Sequence, residues 1–148
     1  MNTNKWEILN NKGSNEDRMK ALLTSNLDTY AILQLVYDQQ DLTAYERFES
    51  LTGLAKLGKQ PNIDHYEIVY MAPLHPYKEF NSMLEEIYTK FNDNLPADFH
   101  GHNLSVSDIV AISQNGIISC HYVDSVGFKE LPEFLKSDSY LKNTRMSD

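Results

Sequence analysis

The stretch from Leu104 to Phe128, LSVSDIVAISQNGIISCHYVDSVGF, decides the fold. Ile109, Val110, Ala111 and Ile112 form an apolar run rich in β-branched side chains, too short for a helix and closed by turn residues, which predicts a strand. After Ser113 and Gln114, Asn115-Gly116 sets side by side two residues that tolerate positive φ, as a two-residue type I′ turn demands. The spacing therefore predicts a hairpin that returns from Ile117 to Val123. Period-two alternation divides this return strand into one face with Ile118, Cys120 and Tyr122 and another with Ile117, Ser119, His121 and Val123. The first face is assigned to the core. Asp124, Ser125 and Gly127 are expected to end the strand.

Working outward, residues 94–103 read as a loop containing Pro96 and Gly101. Ahead of it, Phe80, Met83, Leu84, Ile87, Tyr88 and Phe91 recur at helical spacing, so an amphipathic helix with one buried face is predicted. Its polar side carries Ser82, Glu85, Thr89 and Asn92, and Glu86 and Lys90 are placed for an i, i+4 ion pair. Tyr66 to Met71 predicts a strand closed by Pro73 and Pro76, which cannot donate to a ladder. Tyr30 to Tyr37, with Gln34 as its one polar member, predicts an interior strand buried on both faces. Between these strands, Thr43 and Glu46 form a capping-box pattern, which predicts a helix from about Ala44 to Leu57 burying Phe48, Leu51 and Ala55, with help from Tyr45 and Leu54. Gly58 is placed to stop it in the left-handed conformation.

Near the N-terminus, Met19, Leu22 and Leu23 predict a short helix over Glu16–Ser25, with Glu16 and Asp17 in its first turn, where the helix dipole favours anions. No element is assigned ahead of Gly13. After the hairpin, Leu131, Phe134 and Leu135 suit one helical turn starting near Pro132. The order strand, helix, strand, helix, hairpin predicts an α+β fold: a two-layer domain with about four strands and two main helices on one face. Residues 1–28 are read as an extension with a short helix, 29–136 as a single domain, and 137–148 as a polar tail.

A chain of 148 residues fits one core, and its single cysteine, Cys120, excludes an intrachain disulfide. The apolar runs are far shorter than the roughly 20 residues of a spanning helix, so a soluble, cytoplasmic protein is expected. The net charge of −8 is uneven: residues 1–60 hold seven Lys/Arg and eight Asp/Glu, and residues 61–148 hold six and thirteen. A half carrying −7 repels phosphate backbones, which argues against direct nucleic-acid binding and suits a basic protein partner or solubility.

Few residues invite catalysis. His100 and His102 beside Asp98 give the spacing D-F-H-G-H, but a metal would need further ligands, and His65, His75 and His121 lie in other elements. No metal and no cofactor is expected. Ser105, Ser107 and Asp108 could pair with His121 or His102 as a nucleophilic set, yet no G-x-S-x-G is present, and Ser and Asp before a strand more often bond local backbone. Cys120, on the core face, reads as an inert thiol. Neither G-x-x-x-x-G-K-[ST] nor G-x-G-x-x-G occurs. The remaining signal is a spaced array of carboxylates, Glu79, Glu85, Glu86, Asp93 and Asp98, followed by Glu130 and Glu133 after the hairpin. Such an array can imitate phosphates and occupy a DNA-binding groove, although a solvated acidic face is the plainer reading.

Four blocks now carry a resemblance: YEIVYMAPL at 66–74, IYTKFN at 87–92, PADFHGHNLSVSD at 96–108 and HYVDSVGF at 121–128. The chain resembles the YodL-type domain over roughly Tyr30 to Leu135, a domain of proteins from plasmids and conjugative elements of Gram-positive bacteria, often found beside antirestriction modules. His100 and Asn103 fall at its spacer positions, and no catalytic residues carry over. The resemblance implies a mobile-element setting and hence a counter-defence protein, anti-CRISPR or antirestriction. It would inhibit a host defence protein, such as a CRISPR effector nuclease, by binding it. The partner-binding residues expected are Glu79, Glu85, Glu86, Asp93, Asp98, His102, Asp124, Glu130 and Glu133. One alternative is an accessory module of conjugation or plasmid maintenance. Another is a small nucleic-acid or nucleotide-processing enzyme centred on His102, Asp108, His121 and Asp124. Open sheet edges would also allow a homodimer.

Overall fold

The structure, a computed structural model, describes residues 3–24, 27–36, 46–74 and 79–135. Its elements are helices α1 (Thr3–Lys12) and α2 (Asn15–Thr24), strand β1 (Thr29–Leu35), the short helix α3 (Leu51–Lys56), strand β2 (Tyr66–Pro73), the long helix α4 (Phe80–Asp93), and strands β3 (Ile109–Gln114), β4 (Ile117–Val123) and β5 (Phe128–Glu130). The class is α+β as expected, with five strands where about four were predicted, in the order β2-β1-β3-β4-β5. All pairs are antiparallel.

The predicted hairpin is present, with Gln114 opposite Ile117 and φ values of 55° at Asn115 and 79° at Gly116. Both turn residues take the left-handed conformation that a type I′ turn requires. Asp124 to Gly127 does more than end β4. Gly127, at φ 68°, turns the chain back, the Asp124 N–H bonds the Gly127 carbonyl at 3.0 Å, and Phe128 pairs with Val123 to add β5. Three residues without alternation leave no periodic signal, which is why this strand is not legible in the sequence.

The helices lie on both faces of the sheet, which corrects the expectation of a single helical layer. One face buries Trp6, Met19 and Leu22 from α1 and α2, with Leu54 of α3, against Ala31, Leu33, Ile68, Met71, Ile109, Ala111, Cys120 and Tyr122. The other buries Met83, Leu84, Ile87 and Phe91 of α4 against Tyr30, Ile32, Tyr70, Val110, Ile112 and Val123. β1 and β3, central in the sheet, are therefore covered on both sides, and Ala31, Ile32, Leu33, Ile109, Val110 and Ala111 are wholly buried. Near-continuous apolar runs without alternation are what such a position asks for.

α1 occupies a stretch with no predicted element. Among its described side chains the buried ones are Trp6 and Asn10, one turn apart, and a polar residue at a core position hides the helical period. The Asn10 amide does the work of a neighbouring strand: Nδ2 donates to the Met71 carbonyl at 2.9 Å and Oδ1 accepts the Met71 N–H at 2.8 Å. Asn15 accepts the Ile68 N–H at 2.7 Å, and Arg18 Nε donates to the Ile68 carbonyl at 2.6 Å. The outer edge of β2 is thus hydrogen-bonded by helix side chains at both residues, which removes part of the template for another strand. α2 begins with a reciprocal cap between Ser14 and Asp17, at 3.0 and 3.1 Å.

α3 is shorter than predicted. Ser50, not Thr43, caps it by accepting the Gly53 N–H, and Phe48 just before it sits at φ 63°, a conformation no helix interior allows. Phe48 and Ala55 are exposed instead of buried, and Leu54 alone in this helix is fully covered. Its end is as expected: Gly58 at φ 72°, with the Gly58 N–H on the Ala55 carbonyl and the Lys59 N–H on the Leu54 carbonyl. Thr43, Ala44, Tyr45, Tyr37, His75, Pro76 and the tail from 137 lie outside the described residues. The turn at Pro132 is present, and Phe134 in it packs edge-on against Tyr66 at 5.5 Å. Among the described residues, no helix is long and apolar enough to cross a membrane.

Candidate functional site

α4 presents its apolar side to the sheet and leaves Ser82, Glu85, Glu86, Tyr88, Thr89, Lys90 and Asp93 exposed. Glu79, its N-cap residue, and then Glu86 and Asp93 recur every seven residues, about 10 Å apart along the axis. Glu86 and Lys90 do not close the ion pair that their spacing offers, and no ion pair among the described residues engages a carboxylate of α4. Between this helix and the β4–β5 turn runs a groove of about 680 Å³, within the range of ligand-binding clefts. Leu84, Glu85, Tyr88 and Thr89 form one wall, and Val106, Val123, Asp124, Ser125, Gly127 and Phe128 form the other.

The groove is amphipathic. Tyr88 meets Phe128 edge to face at 6.3 Å, Tyr88 remains 41% exposed, and Val126 at the turn is 78% exposed. Glu85 and Asp124 are the acidic residues among those that line it. The groove thus combines an apolar strip with two carboxylates, of which Asp124 also accepts backbone N–H groups.

A second polar cluster joins the loops at one end of the sheet. Gln34, the single polar residue of buried β1, donates through Nε2 to the His102 carbonyl at 2.8 Å and to Asp108 Oδ2 at 3.1 Å, and its Oε1 accepts the His102 N–H at 3.1 Å. Asp108 Oδ2 also accepts the Ser105 N–H at 2.9 Å. Burial pushes the Asp108 carboxyl up to about 7, against the lowering effect of those two donors. His102 Nε2 stands 3.8 Å from Asp108 Oδ1 while its Nδ1 lies 2.7 Å from the Asn103 carbonyl. Gly101 makes room for this arrangement, since a Cβ there would overlap Gln34 Oε1. Gly101→Ala is expected to displace the Gln34 amide and lower stability by about 1–3 kcal/mol, read as a lower urea midpoint. An unchanged midpoint would show that Gln34 has another place to go.

The segment from Glu46 to Leu51 is clasped to the same end. Glu46 Oε1 meets His65 Nδ1 at 2.9 Å, the Phe48 N–H bonds Ser107 Oγ at 3.0 Å, Tyr122 donates to the Glu49 carbonyl at 2.6 Å, and Asp124 Oδ1 accepts the Leu51 N–H at 3.1 Å. Ser107 is held at φ 88°, and Tyr66 donates to its carbonyl at 2.6 Å. Burial raises the pKa of both tyrosine hydroxyls, followed at Tyr66 by Tyr122 and then carboxylates, and at Tyr122 by carboxylates, Asp124 first. Among the described residues, Glu46 Oε2 is buried without a hydrogen-bond partner.

This geometry sorts the predicted residues. Glu85 and Asp124 share the groove, Glu79, Glu86 and Asp93 lie elsewhere on α4 outside its lining, and Glu130 lies on β5. Asp98 is elsewhere, accepting Asn10 Nδ2 at 2.9 Å, and Glu133 sits in the turn after β5. His102 belongs to the polar cluster. Of the four residues proposed for an enzyme, only His102 and Asp108 are neighbours: His121 Nε2 meets Ser119 Oγ at 2.8 Å, and Asp124 caps backbone N–H groups at Leu51 and Ser125. Ser105 and Ser107 make local or backbone bonds, as read from sequence. His100 Nε2 contacts Asn11 Oδ1 at 2.6 Å, and among the described residues no three His, Cys, Asp or Glu side chains are grouped to hold a metal. The Cys120 thiol is buried, and burial pushes it up to about 12. Of the groove's lining residues only Glu85 and Asp124 belong to the expected set; Tyr88 escapes it because it falls on the apolar period of α4, which reads as core.

A family model described as a YodL-like domain matches residues 29–134. The chain belongs to the YodL-like domain family. The match begins at the first residue of β1 and ends at Phe134, so the YodL-like domain comprises the whole sheet, α4 and the groove, while α1 and α2 lie ahead of it. No curated protein and no solved structure matches the chain.

Proposed function

We propose that this YodL-like chain is a non-enzymatic binding module that seats a basic surface of another protein on the α4 groove, and that this partner is a host defence nuclease. The observation that carries the binding half is the groove itself: exposed Tyr88 and half-buried Phe128 line it together with Glu85 and Asp124, exposed Val126 stands at the adjoining turn, and no cation is paired to the α4 carboxylates among the described residues. A nucleic-acid-binding channel is basic, so an acidic face that presents carboxylates at regular spacing is attracted to it and can occupy it in place of phosphates. The nuclease half is supported by the resemblance to domains of mobile elements, which gain from blocking CRISPR effectors or restriction enzymes in the bacterial cytoplasm.

The test is plasmid cleavage by purified CRISPR effectors of several types and by restriction enzymes, with the chain added in molar excess. At least one class should lose cleavage by tenfold or more, and raising the salt should restore it. Full cleavage by every nuclease would overturn the proposal, and recovery of DNA-transfer proteins by the immobilised chain would move it to the conjugation reading.

A further inference from the structure

A second cavity, of about 310 Å³, opens at the outer edge of β2, away from the α4 groove, between α1 and the loop that carries Asp98. Trp6, Leu27 and Pro73 give it apolar walls, and Glu7 and Asp98 bring two carboxylates to it without a lysine or arginine among its lining residues. Tyr70 completes it. That side chain is only 7% exposed, and among the described residues its hydroxyl has no hydrogen-bond partner. No described protein group bonds this hydroxyl and its residue lines the cavity, so water or a ligand standing there is left to satisfy it. Its pKa is raised to about 12, by burial first and then by Asp98 and Glu7, so both carboxylates act electrostatically on the cavity around the ring.

We propose that this cleft binds an organic cation, an alkylammonium or alkylguanidinium group, with the alkyl part against Trp6, Leu27 and Pro73 and the charged head at Tyr70, Glu7 and Asp98. Each alternative ligand class fits worse. An anion meets two carboxylates. A hydrated metal ion needs more oxygen ligands and gains nothing from an indole wall. A neutral apolar molecule leaves the carboxylates without a counter-charge, whereas a cation bearing a short alkyl chain uses every group present, including the electron-rich rings of Trp6 and Tyr70. The same chemistry is carried by free amines and by lysine or arginine side chains. This site is independent of the α4 groove and of any nuclease partner.

Trp6 is the only tryptophan in the chain, so its fluorescence reports on this cleft alone. Titration with n-butylammonium and n-butylguanidinium chlorides should give a saturable change, at least fivefold weaker for n-butanol and weakened by added sodium chloride. Glu7→Gln and Tyr70→Phe should each weaken cation binding by threefold or more at an unchanged melting temperature. Equal binding of n-butanol, no saturable change with either cation, or two well-folded variants that bind as the wild type does would each overturn the proposal. With cation binding in hand, N-acetyl-lysine and N-acetyl-arginine amides separate the sources. Comparable affinity assigns the cleft to a side chain presented by a protein, and exclusion of the blocked residues assigns it to a free amine.

Discussion

Replacing Asn10 by alanine is expected to lower the unfolding free energy by about 2–4 kcal/mol and to make the protein self-associate. The amide is 4% exposed and makes three hydrogen bonds, two to the backbone of Met71 and one to Asp98. Alanine removes both partners of Met71 at once, leaving an N–H and a carbonyl unpaired beneath α1, and each such buried group costs about 1–3 kcal/mol. For a chain of this size the loss corresponds to roughly 5–15 °C in melting temperature. The same change exposes ladder positions on the outer edge of β2, so size-exclusion chromatography should show a larger share of associated species than the wild type gives at equal concentration. A monomeric variant with a wild-type melt would mean that α1 contributes only apolar contact through Trp6.

Asp108→Asn should stabilise the chain above neutral pH and leave it nearly unchanged in acid. The carboxyl is 1% exposed, and its pKa in the folded protein is about 7 against an ordinary value of 3.8. Because the folded state holds this proton more tightly than the unfolded chain does, its contribution is fully present below pH 4 and is lost as pH rises through 7. The difference approaches about 4 kcal/mol by pH 8, at 1.36 kcal/mol for each pH unit of separation. Asparagine keeps an oxygen to accept from Gln34 and Ser105 and can never ionise, so at pH 8 the variant should melt about 10 °C above the wild type, and at pH 5 within a few degrees of it. His121 works in the opposite sense. Burial lowers its pKa, so it withdraws stability as pH falls below 6.5 in both proteins and cancels from the comparison. Parallel melting curves for the two proteins from pH 5 to 8 would show that Asp108 stays ionised in the fold.

The parts legible in the sequence are those whose signal is local. Asn115-Gly116 fixes its own turn, the period of Met83, Leu84, Ile87 and Phe91 fixes the buried side of α4, and the run around Ala31 to Leu33 announces a strand covered on both faces. The parts that were not legible depend on partners far away along the chain. Asn10 finds Met71 across 61 positions, and in isolation it is a polar residue interrupting a weak helix. The start of α3 is decided by Ser50 and by a left-handed Phe48 whose N–H is held by Ser107, so the better-looking cap at Thr43 and Glu46 does not set it. Glu46 instead turns inward to His65. The acidic character of the candidate site is legible as composition, while its shape depends on α4 lying against the β4–β5 turn, which brings Tyr88 to Phe128 and puts Glu85 and Asp124 along one groove.

Plasmid interference in cells carrying a CRISPR or restriction system, with the wild-type chain set beside the triple variant Glu85→Lys, Glu86→Lys, Asp93→Lys, tests the proposed role of the α4 face most directly. All three positions are exposed, so the variant should fold with a wild-type melting temperature. The wild type should protect the plasmid against at least one system, and the variant should lose that protection at equal protein level. Equal protection by both proteins, or no protection by the wild type against any system, would contradict it.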